Sequence, residues 1–206
     1  MDPVQCVFVV DDDAFVLRAI ERLIRSTGLS VETFTSAASF LERLPYEGPA
    51  CLVLDMSMPG LSGLDVQSAM AVLAADMPIV FLSGASDVPD AAKAMRNGAV
   101  DFLTKPVNDV ELLDAVVYAL AVSAEIQQRR RLESEGRQRL ARLTKRERQV
   151  CDFVAAGFLN KQIAYDLGTS EKTIKVHRAR VMHKLEVDSV AGLVWLLSRM
   201  RKPPFT

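Results

Sequence analysis

The chain is poor in the residues that build disulfide frameworks and zinc sites. Its 206 residues include three cysteines and two histidines. The cysteines (Cys6, Cys51 and Cys151) are odd in number and far apart, which argues against both kinds of site and fits a reducing compartment. We therefore expect them to be small core residues and not a redox centre.

Long apolar segments are also missing. No uninterrupted apolar run approaches the roughly 18 residues of a membrane-spanning helix. The first residues, MDPVQC, contain neither the basic region nor the apolar stretch of a secretory signal. Together these absences predict a cytoplasmic protein that has no membrane partner.

Charge is divided unevenly along the chain, although the net charge is only −1. Residues 1–122 hold 7 Lys and Arg against 17 Asp and Glu, a balance of −10. Residues 123–206 hold the other 18 against 9, a balance of +9. This asymmetry indicates two domains, the second of which has an anionic partner.

Apolar, β-favouring runs alternate with amphipathic helical patterns over residues 1–122. Successive βα units predict an α/β fold, a doubly wound five-stranded parallel sheet of the flavodoxin-like kind with helices on both faces. The strands are expected at 6–10, 31–34, 51–54, 79–82 and 101–103. The helices are expected at 15–25, 37–44, 64–73, 88–97 and 110–122.

The pattern changes after residue 122. In residues 123–139, charged residues and glutamine replace the β-branched ones, which predicts a helical linker with Gly136 as its weak point. Residues 140–206 form a small all-α unit with turns near Gly157, Gly168 and 187–188. We therefore expect an N-terminal domain at 1–122, a linker at 123–139 and a second domain at 140–206.

Polar residues follow the predicted strands at the points where the strands end. The first strand runs into Asp11, Asp12 and Asp13, and the third ends at Asp55. The fourth ends at Ser83, and the fifth leads to Lys105. Because functional residues gather beyond the carboxyl ends of parallel strands, we expect these side chains to converge on one edge of the sheet.

The converging residue types suit phosphoryl chemistry. Clustered carboxylates repel one another unless something positive lies among them. Mg²⁺ takes oxygen ligands and would offset the acids, together with Lys105. A carboxylate can then act as a nucleophile and carry a phosphoryl group. A single acid at a strand end is often only a helix N-cap, and Asp13 fits that role.

These motifs resemble the receiver domain of bacterial two-component response regulators. The receiver pattern is an acid pair after strand one, Asp after strand three, Thr or Ser after strand four, and Lys-Pro after strand five. In this sequence the matching residues are Asp11, Asp12, Asp55, Ser83, Lys105 and Pro106. Serine at position 83 stands where threonine is commoner and keeps the hydroxyl.

The resemblance implies a role for each matching residue. Asp55 would be the phosphoacceptor, Lys105 would pair with the phosphoryl group, and the Lys105–Pro106 bond would be cis. Ser83 would bind the phosphoryl oxygens, and Phe102, three residues before the lysine, matches the aromatic switch position. The Mg²⁺ ligands would be Asp12, Asp55 and the backbone carbonyl of Ser57, with Asp11 acting through water.

The basic C-terminal unit contains a predicted helix-turn-helix. LTKRERQV opens a helix with Thr144 as N-cap and Glu147 three residues later, a capping-box spacing. NKQIAYDLG is a short helix ended by Gly168, and a second helix begins after Ser170. The second helix of such a unit can enter the major groove of DNA.

Periodicity divides the second helix into a core face and an outer face. At about 100° per residue, Ile174, Val181 and Leu185 share one side, while small and basic residues face outward. A solvated basic helix without a partner would show the same pattern. The residues expected to contact DNA are Lys161, Thr169, Lys172, Thr173, Lys175, Val176, Arg178, Ala179, Arg180 and Lys184, with Arg178 and Arg180 at phosphates.

Residues 140–200 resemble the LuxR-type helix-turn-helix domain, through LTKRERQV, NKQIAYDL and TIKVHRARVMHKL. Together the two resemblances imply a FixJ/NarL-type response regulator, a transcription factor and not an enzyme. A histidine kinase would phosphorylate Asp55, and phosphorylation would promote homodimerisation and binding to promoter DNA, with RNA polymerase as a further partner.

Two other interpretations remain open at this point. Asp11 and Asp13 form the D-x-D of haloacid-dehalogenase-like phosphatases, in which the first Asp is the nucleophile, although Phe15 departs from their pattern. A receiver whose output domain contacts RNA or protein would fit the same residues. Loss of phosphorylation on replacing Asp55 separates the receiver from the phosphatase.

Overall fold

The β-branched and aromatic runs of the first half form strands, and the amphipathic runs form helices. The computed structural model describes residues 5–73, 75–84 and 88–200. The strands are β1 (Cys6–Val10), β2 (Ser30–Phe34), β3 (Ala50–Asp55), β4 (Ile79–Ser83) and β5 (Asp101–Thr104). The helices are α1 (Ala14–Ser26), α2 (Ala37–Arg43), α3 (Gly63–Val72), α4 (Val88–Arg96), α5 (Asp109–Ala141), α6 (Lys145–Ala155), α7 (Asn160–Asp166), α8 (Glu171–Leu185) and α9 (Val190–Met200).

The five strands form one parallel sheet in the order β2-β1-β3-β4-β5. The predicted doubly wound five-stranded sheet is therefore confirmed. From β1 the chain adds β2 on one side of the sheet and β3, β4 and β5 on the other, so the direction of the connections changes between β1 and β3. Asp11 directly follows β1, and Asp55 is the last residue of β3. Side chains beyond the carboxyl ends of β1, β3, β4 and β5 thus share one edge of the sheet.

Alternate residues of each central strand pack against different layers of helices. Val7 and Val53 pack with residues of α1 and α5, whereas Phe8 and Leu54 pack with residues of α2, α3 and α4. Burial on both faces explains why these strands are continuous apolar runs and do not alternate with polar residues. Cys6, Cys51 and Cys151 are buried and free, as predicted for core residues.

Helix α5 continues well beyond the residues that cover the sheet. Ser123 is buried, and its hydroxyl accepts a 3.0 Å hydrogen bond from the amide of Ala50 at the start of β3. The chain divides into two compact units after Gln128, inside α5. The sequence-based linker, 123–139, is therefore continuous helix, and its residues are distributed between the two units.

Gly136 does not interrupt α5, contrary to its expected role as a weak point of the linker. A Cβ atom at this position would overlap the terminal methyl of Met200, at the end of α9. The absence of a side chain lets Met200 pack directly on the helix backbone. Gly136 therefore permits this packing within the second unit, although glycine has a low helix propensity.

The second unit is built from short helices around a single apolar core. Val150, Ile163, Ile174, Leu185 and Leu193 come from α6, α7, α8 and α9, and all are buried. Leu140 and Leu143, near the end of α5, pack against the same core. In the described ranges, no helix combines the length and the apolar character that crossing a membrane requires.

Candidate functional site

Lys105 joins the ends of β1 and β3 through two short ion pairs. Its Nζ lies 2.6 Å from Asp11 Oδ2 and 2.7 Å from Asp55 Oδ1. Both carboxylates are buried, whereas the lysine side chain remains partly exposed. The predicted convergence of these strand-end residues is therefore present, with one cation held between two buried anions.

Backbone contacts hold the chain at the strand ends where Asp11 and Asp55 lie. The amide of Asp13 donates to Asp11 Oδ1 at 2.9 Å, and Asp13 accepts from the amide of Phe15 at 2.7 Å as the N-cap of α1. The predicted capping role of Asp13 is thus confirmed. A Cβ on Gly63 would lie 2.8 Å from the carbonyl oxygen of Asp55, so a glycine is needed where α3 begins.

Burial sets the electrostatic character of this cluster. It raises the pKa of Asp55, because the hydrogen bond and charge of Lys105 only partly offset desolvation and the nearby negative charges of Asp11 and Asp12 also favour protonation. Burial acts to lower the pKa of Lys105, but its hydrogen bonds to Asp11 and Asp55 outweigh that effect and raise it. The three carboxylates of Asp11, Asp12 and Asp55 outnumber the Lys105 ammonium, so the ionised cluster carries net negative charge.

The three acids fit a hard divalent cation. Asp11, Asp12 and Asp55 each offer a carboxylate oxygen, and these oxygens lie within 4.8 Å of one another. Asp12 is exposed and Ser57 is exposed in the loop after β3, so the cluster opens to solvent on the side of these two residues. Oxygen donors with some open coordination positions are the environment that Mg²⁺ prefers.

Ser83 is the last residue of β4, and Phe102 lies in the neighbouring strand β5. Ser83 is buried, and its hydroxyl donates to the carbonyl of Gly84 at 3.1 Å. Its carbonyl accepts from the Lys105 amide at 2.7 Å, which ties β4 to the lysine. Phe102 is partly buried, with its ring centroid 6.5 Å from that of Phe81. The Lys105–Pro106 peptide bond is cis, as the receiver resemblance implied.

Helices α7 and α8 form the predicted helix-turn-helix. Gly168, with φ of 61°, ends α7, and Ser170 caps α8 by accepting from the amide of Thr173 at 3.1 Å. Thr144 and Glu147 form the expected capping box at the start of α6. Ile174, Val181 and Leu185 are buried, so the core face of α8 is also as predicted.

Most of the expected DNA-contacting side chains share an accessible surface on α7 and α8. Thr169, Thr173 and Arg178 are partly exposed, and Thr173 also bonds to the Ser170 cap. The exposed members of this set are Lys161, Lys172, Lys175, Val176, Ala179 and Arg180. Asn160, which was not among the predicted contacts, accepts a hydrogen bond on its Oδ1 from Arg178 Nη1 at 3.2 Å.

Lys184, also predicted as a DNA contact, is only partly exposed and is engaged within the second unit. Its Nζ lies 2.6 Å from Glu147 Oε2 and donates to the carbonyl of Arg142 at 3.2 Å. Glu147 is buried, so the lysine neutralises a carboxylate inside the domain. A hydrogen bond from Lys184 and the amide of Thr144 lower the pKa of Glu147 to about 2.

Family models match both units. The response regulator receiver domain matches residues 7–117, and the LuxR family of bacterial regulatory proteins matches residues 141–197. The response regulator protein TodT of Pseudomonas putida is 44% identical over 200 residues, which cover 97% of this chain and 88% of TodT. The transcriptional regulatory protein FixJ of Bradyrhizobium diazoefficiens is 37% identical, with 94% of each chain covered.

Solved structures show the same combination of domains. The response regulator StyR aligns with a TM-score of 0.86 and 44% identity over 95% of this chain and 99% of its own. Full-length FixJ from B. japonicum aligns with a TM-score of 0.59 and 37% identity, covering 95% of this chain and 96% of FixJ. Both the fold and the order of the two domains are therefore shared with these proteins.

Magnesium ions are expected to stabilise the N-terminal unit, because they would bind the folded acid cluster and not the unfolded chain. At about 100 times the Kd, such binding contributes about 2.7 kcal/mol, measurable as a rise in Tm. Asp55→Asn and Asp12→Asn should each abolish most of this rise. Asp13→Asn, which keeps an N-cap residue, should retain it. An equal response in all four proteins would contradict the proposed ligands.

Removing the Lys184 ammonium is expected to destabilise the second unit. The depressed pKa of Glu147 means that its contribution to stability is fully present above the usual value of 4.5 and is lost as pH falls through about 2. Lys184→Met should therefore lower Tm at neutral pH, by roughly 4 °C or more per kcal/mol lost. The difference from wild type should shrink below pH 4.5.

The exposed Arg148–Asp152 pair provides the control for this measurement, because its charged atoms are 3.6 Å apart in an accessible position. Arg148→Met should change Tm little at any of these pH values. A Lys184→Met protein as stable as wild type at neutral pH would show that the buried pair does not stabilise the domain.

Proposed function

The chain belongs to the response regulators that join a receiver domain to a LuxR-family DNA-binding domain, and from this membership we propose that phosphorylation of Asp55 switches its activity as a transcriptional regulator. The observation that carries the proposal is the Lys105 ammonium held 2.7 Å from Asp55 Oδ1 and 2.6 Å from Asp11 Oδ2. A cation so placed stabilises negative charge that arrives on Asp55.

Phosphoryl transfer uses Asp55 as the nucleophile. One carboxylate oxygen of Asp55 attacks the phosphorus of a phosphohistidine on a sensor kinase, or of a small acyl phosphate, and the bond to the leaving nitrogen or oxygen breaks. Asp11, Asp12, Asp55 and the carbonyl of Ser57 would hold Mg²⁺, which supplies charge neutralisation when bound. Lys105 and the hydroxyl of Ser83 bind phosphoryl oxygens, which positions the group without a covalent role for either residue.

Phosphorylation replaces a carboxylate by a group that carries up to about two negative charges. The hydroxyl of Ser83, now bonded to Gly84, turns to the phosphoryl oxygens. Phe102 turns further inward as Ser83 moves. We expect this change to favour homodimerisation through the face formed by α4, β5 and the sheet-covering part of α5.

The second domain binds double-stranded DNA through α7 and α8. Lys175, Val176, Lys172 and Ala179 contact base edges in the major groove, and Arg178 and Arg180 contact phosphates. Lys161, Thr169 and Thr173 complete the surface. The exposed positions of the groove residues support this assignment, and Lys184, which is partly exposed and paired with Glu147, lies at the edge of this surface as a further phosphate contact.

The remaining partners follow from this function. A sensor histidine kinase supplies the phosphoryl group, promoter DNA is the target in the cytoplasm, and RNA polymerase is a further partner at the promoter. The only reactions proposed for the chain itself are phosphoryl transfer to Asp55 and loss of that group.

Acetyl phosphate labelling in the presence of Mg²⁺ tests the phosphoacceptor. Intact mass should show a single phosphoryl adduct on wild type and none on Asp55→Asn, since an amide cannot form the acyl phosphate. Size-exclusion chromatography of the same samples should show a dimer only for phosphorylated wild type.

Two variants complete the test. Asp13→Asn should still be labelled, because Asp13 caps α1 and lies outside the predicted nucleophile and ligand set. Asp11→Asn should slow labelling without moving it to another residue. Labelling of Asp55→Asn together with loss of the adduct in Asp11→Asn would support the phosphatase interpretation and contradict the receiver.

A further inference from the structure

A side-chain hydrogen bond joins the first residue of α7 to the middle of α8. Arg178 Nη1 donates to Asn160 Oδ1 at 3.2 Å, and both side chains are partly buried. The bond fixes one end of a long and otherwise flexible arginine side chain. Because the guanidinium is planar with five N–H donors, holding one nitrogen also orients the others.

The start of α7 is unusual in a way that leaves Asn160 available for this contact. Asparagine is among the best N-cap residues, yet the N-cap of α7 is Leu159, which offers no side-chain hydrogen bond. Asn160 occupies the first helical position, one residue later. The side chain of Asn160 is therefore not used to cap α7 and instead bonds to Arg178 of α8.

Arg178 also differs from its neighbours in charge pairing. Lys184 pairs with Glu147 at 2.6 Å, and Lys175 lies 3.7 Å from Glu171. Among the ion pairs formed by residues 5–73, 75–84 and 88–200, none involves Arg178. Its partner is a neutral amide, which orients the guanidinium and leaves its positive charge uncompensated.

We propose that Asn160 is a positioning residue that holds Arg178 for contact with a phosphate of the DNA backbone. The proposal rests on the DNA-binding function proposed above and adds a residue that does not itself read the bases. An oriented guanidinium loses less side-chain freedom when it binds a phosphate, and its remaining N–H groups can bind phosphate oxygens in pairs.

Replacing Asn160 by aspartate separates positioning from structure. The substituted side chain can still accept from Arg178, and a carboxylate in the first turn of a helix is favourable, so the fold should be as stable as wild type or more so. The new carboxylate would neutralise Arg178 and repel the phosphate. We therefore expect Asn160→Asp to bind DNA at least about tenfold more weakly, as for loss of a hydrogen bond to a charged group.

The matched control is another arginine–amide pair in the same unit. Arg146 Nη1 donates to Gln149 Oε1 at 3.2 Å, while Arg146 Nη2 donates to the carbonyl of Leu167 at the end of α7. Gln149→Glu changes the net charge by the same amount. It places a carboxylate beside Arg146, which is already bonded to the carbonyl of Leu167. Its DNA affinity should stay close to that of wild type.

The full-length protein would be treated with acetyl phosphate and Mg²⁺, and its affinity for a 30-bp duplex of random sequence would be measured over a range of salt concentrations. The Tm of each variant would be recorded as well. Such a duplex suffices because phosphate contacts do not depend on sequence. Arg178→Gln should reduce the salt slope by about 1 per subunit. Asn160→Ala should weaken binding in the wild-type background and have no further effect in Arg178→Gln, because coupled residues are not additive.

Weaker binding by Asn160→Asp at unchanged or higher Tm, with Gln149→Glu unaffected, would support the proposal. Binding by Asn160→Asp equal to wild type would overturn it, as would an equal cost of Asn160→Ala in both backgrounds. If Lys175→Gln weakens binding while the Asn160 variants do not, this inference alone fails. If wild type does not bind the duplex at low salt, the proposed DNA-binding function fails and this inference with it.

Discussion

The Lys105 ammonium, shared by two buried carboxylates, is the interaction on which the N-terminal unit depends. Asp11 and Asp55 are brought together by neighbouring parallel strands, and their mutual repulsion is tolerable because one cation bridges them at 2.6 and 2.7 Å. The arrangement remains short of positive charge. Under the proposed function, Mg²⁺ would supply the missing positive charge, and a phosphoryl group on Asp55 would change the contacts that Asp55 now makes with Lys105.

Two cationic side chains of the second unit, Lys184 and Arg178, have partners of different charge. Lys184 is bonded to the buried Glu147, which links α8 to the capping box of α6 and fixes the core around which the helix-turn-helix is built. Arg178 is held by a neutral amide. A positive side chain that is neutralised inside the protein stabilises the fold, whereas one that is oriented but left charged is suited to a nucleic-acid phosphate.

Much of this structure is encoded locally and could be predicted. The strands, the capping box of Thr144 and Glu147, and the core face of α8 follow from periodicity and capping preferences, and the convergence of Asp11, Asp55 and Lys105 follows from parallel topology. The roles of Lys184, Asn160 and Gly136 depend on tertiary partners. The partner of Lys184 is 37 residues away in the sequence, so helical spacing alone cannot reveal this ion pair. Gly136 is explained by Met200 and not by helix propensity.

The most direct test of phosphorylation-controlled DNA binding is a fluorescence anisotropy titration of the full-length protein. The DNA would be a duplex selected from random sequence with the phosphorylated protein, and each titration would be run with and without acetyl phosphate in Mg²⁺. We predict that the phosphoryl donor lowers the Kd of wild type and leaves the Kd of Asp55→Asn unchanged. An unchanged wild-type Kd, or an equal decrease for Asp55→Asn, would contradict control through Asp55.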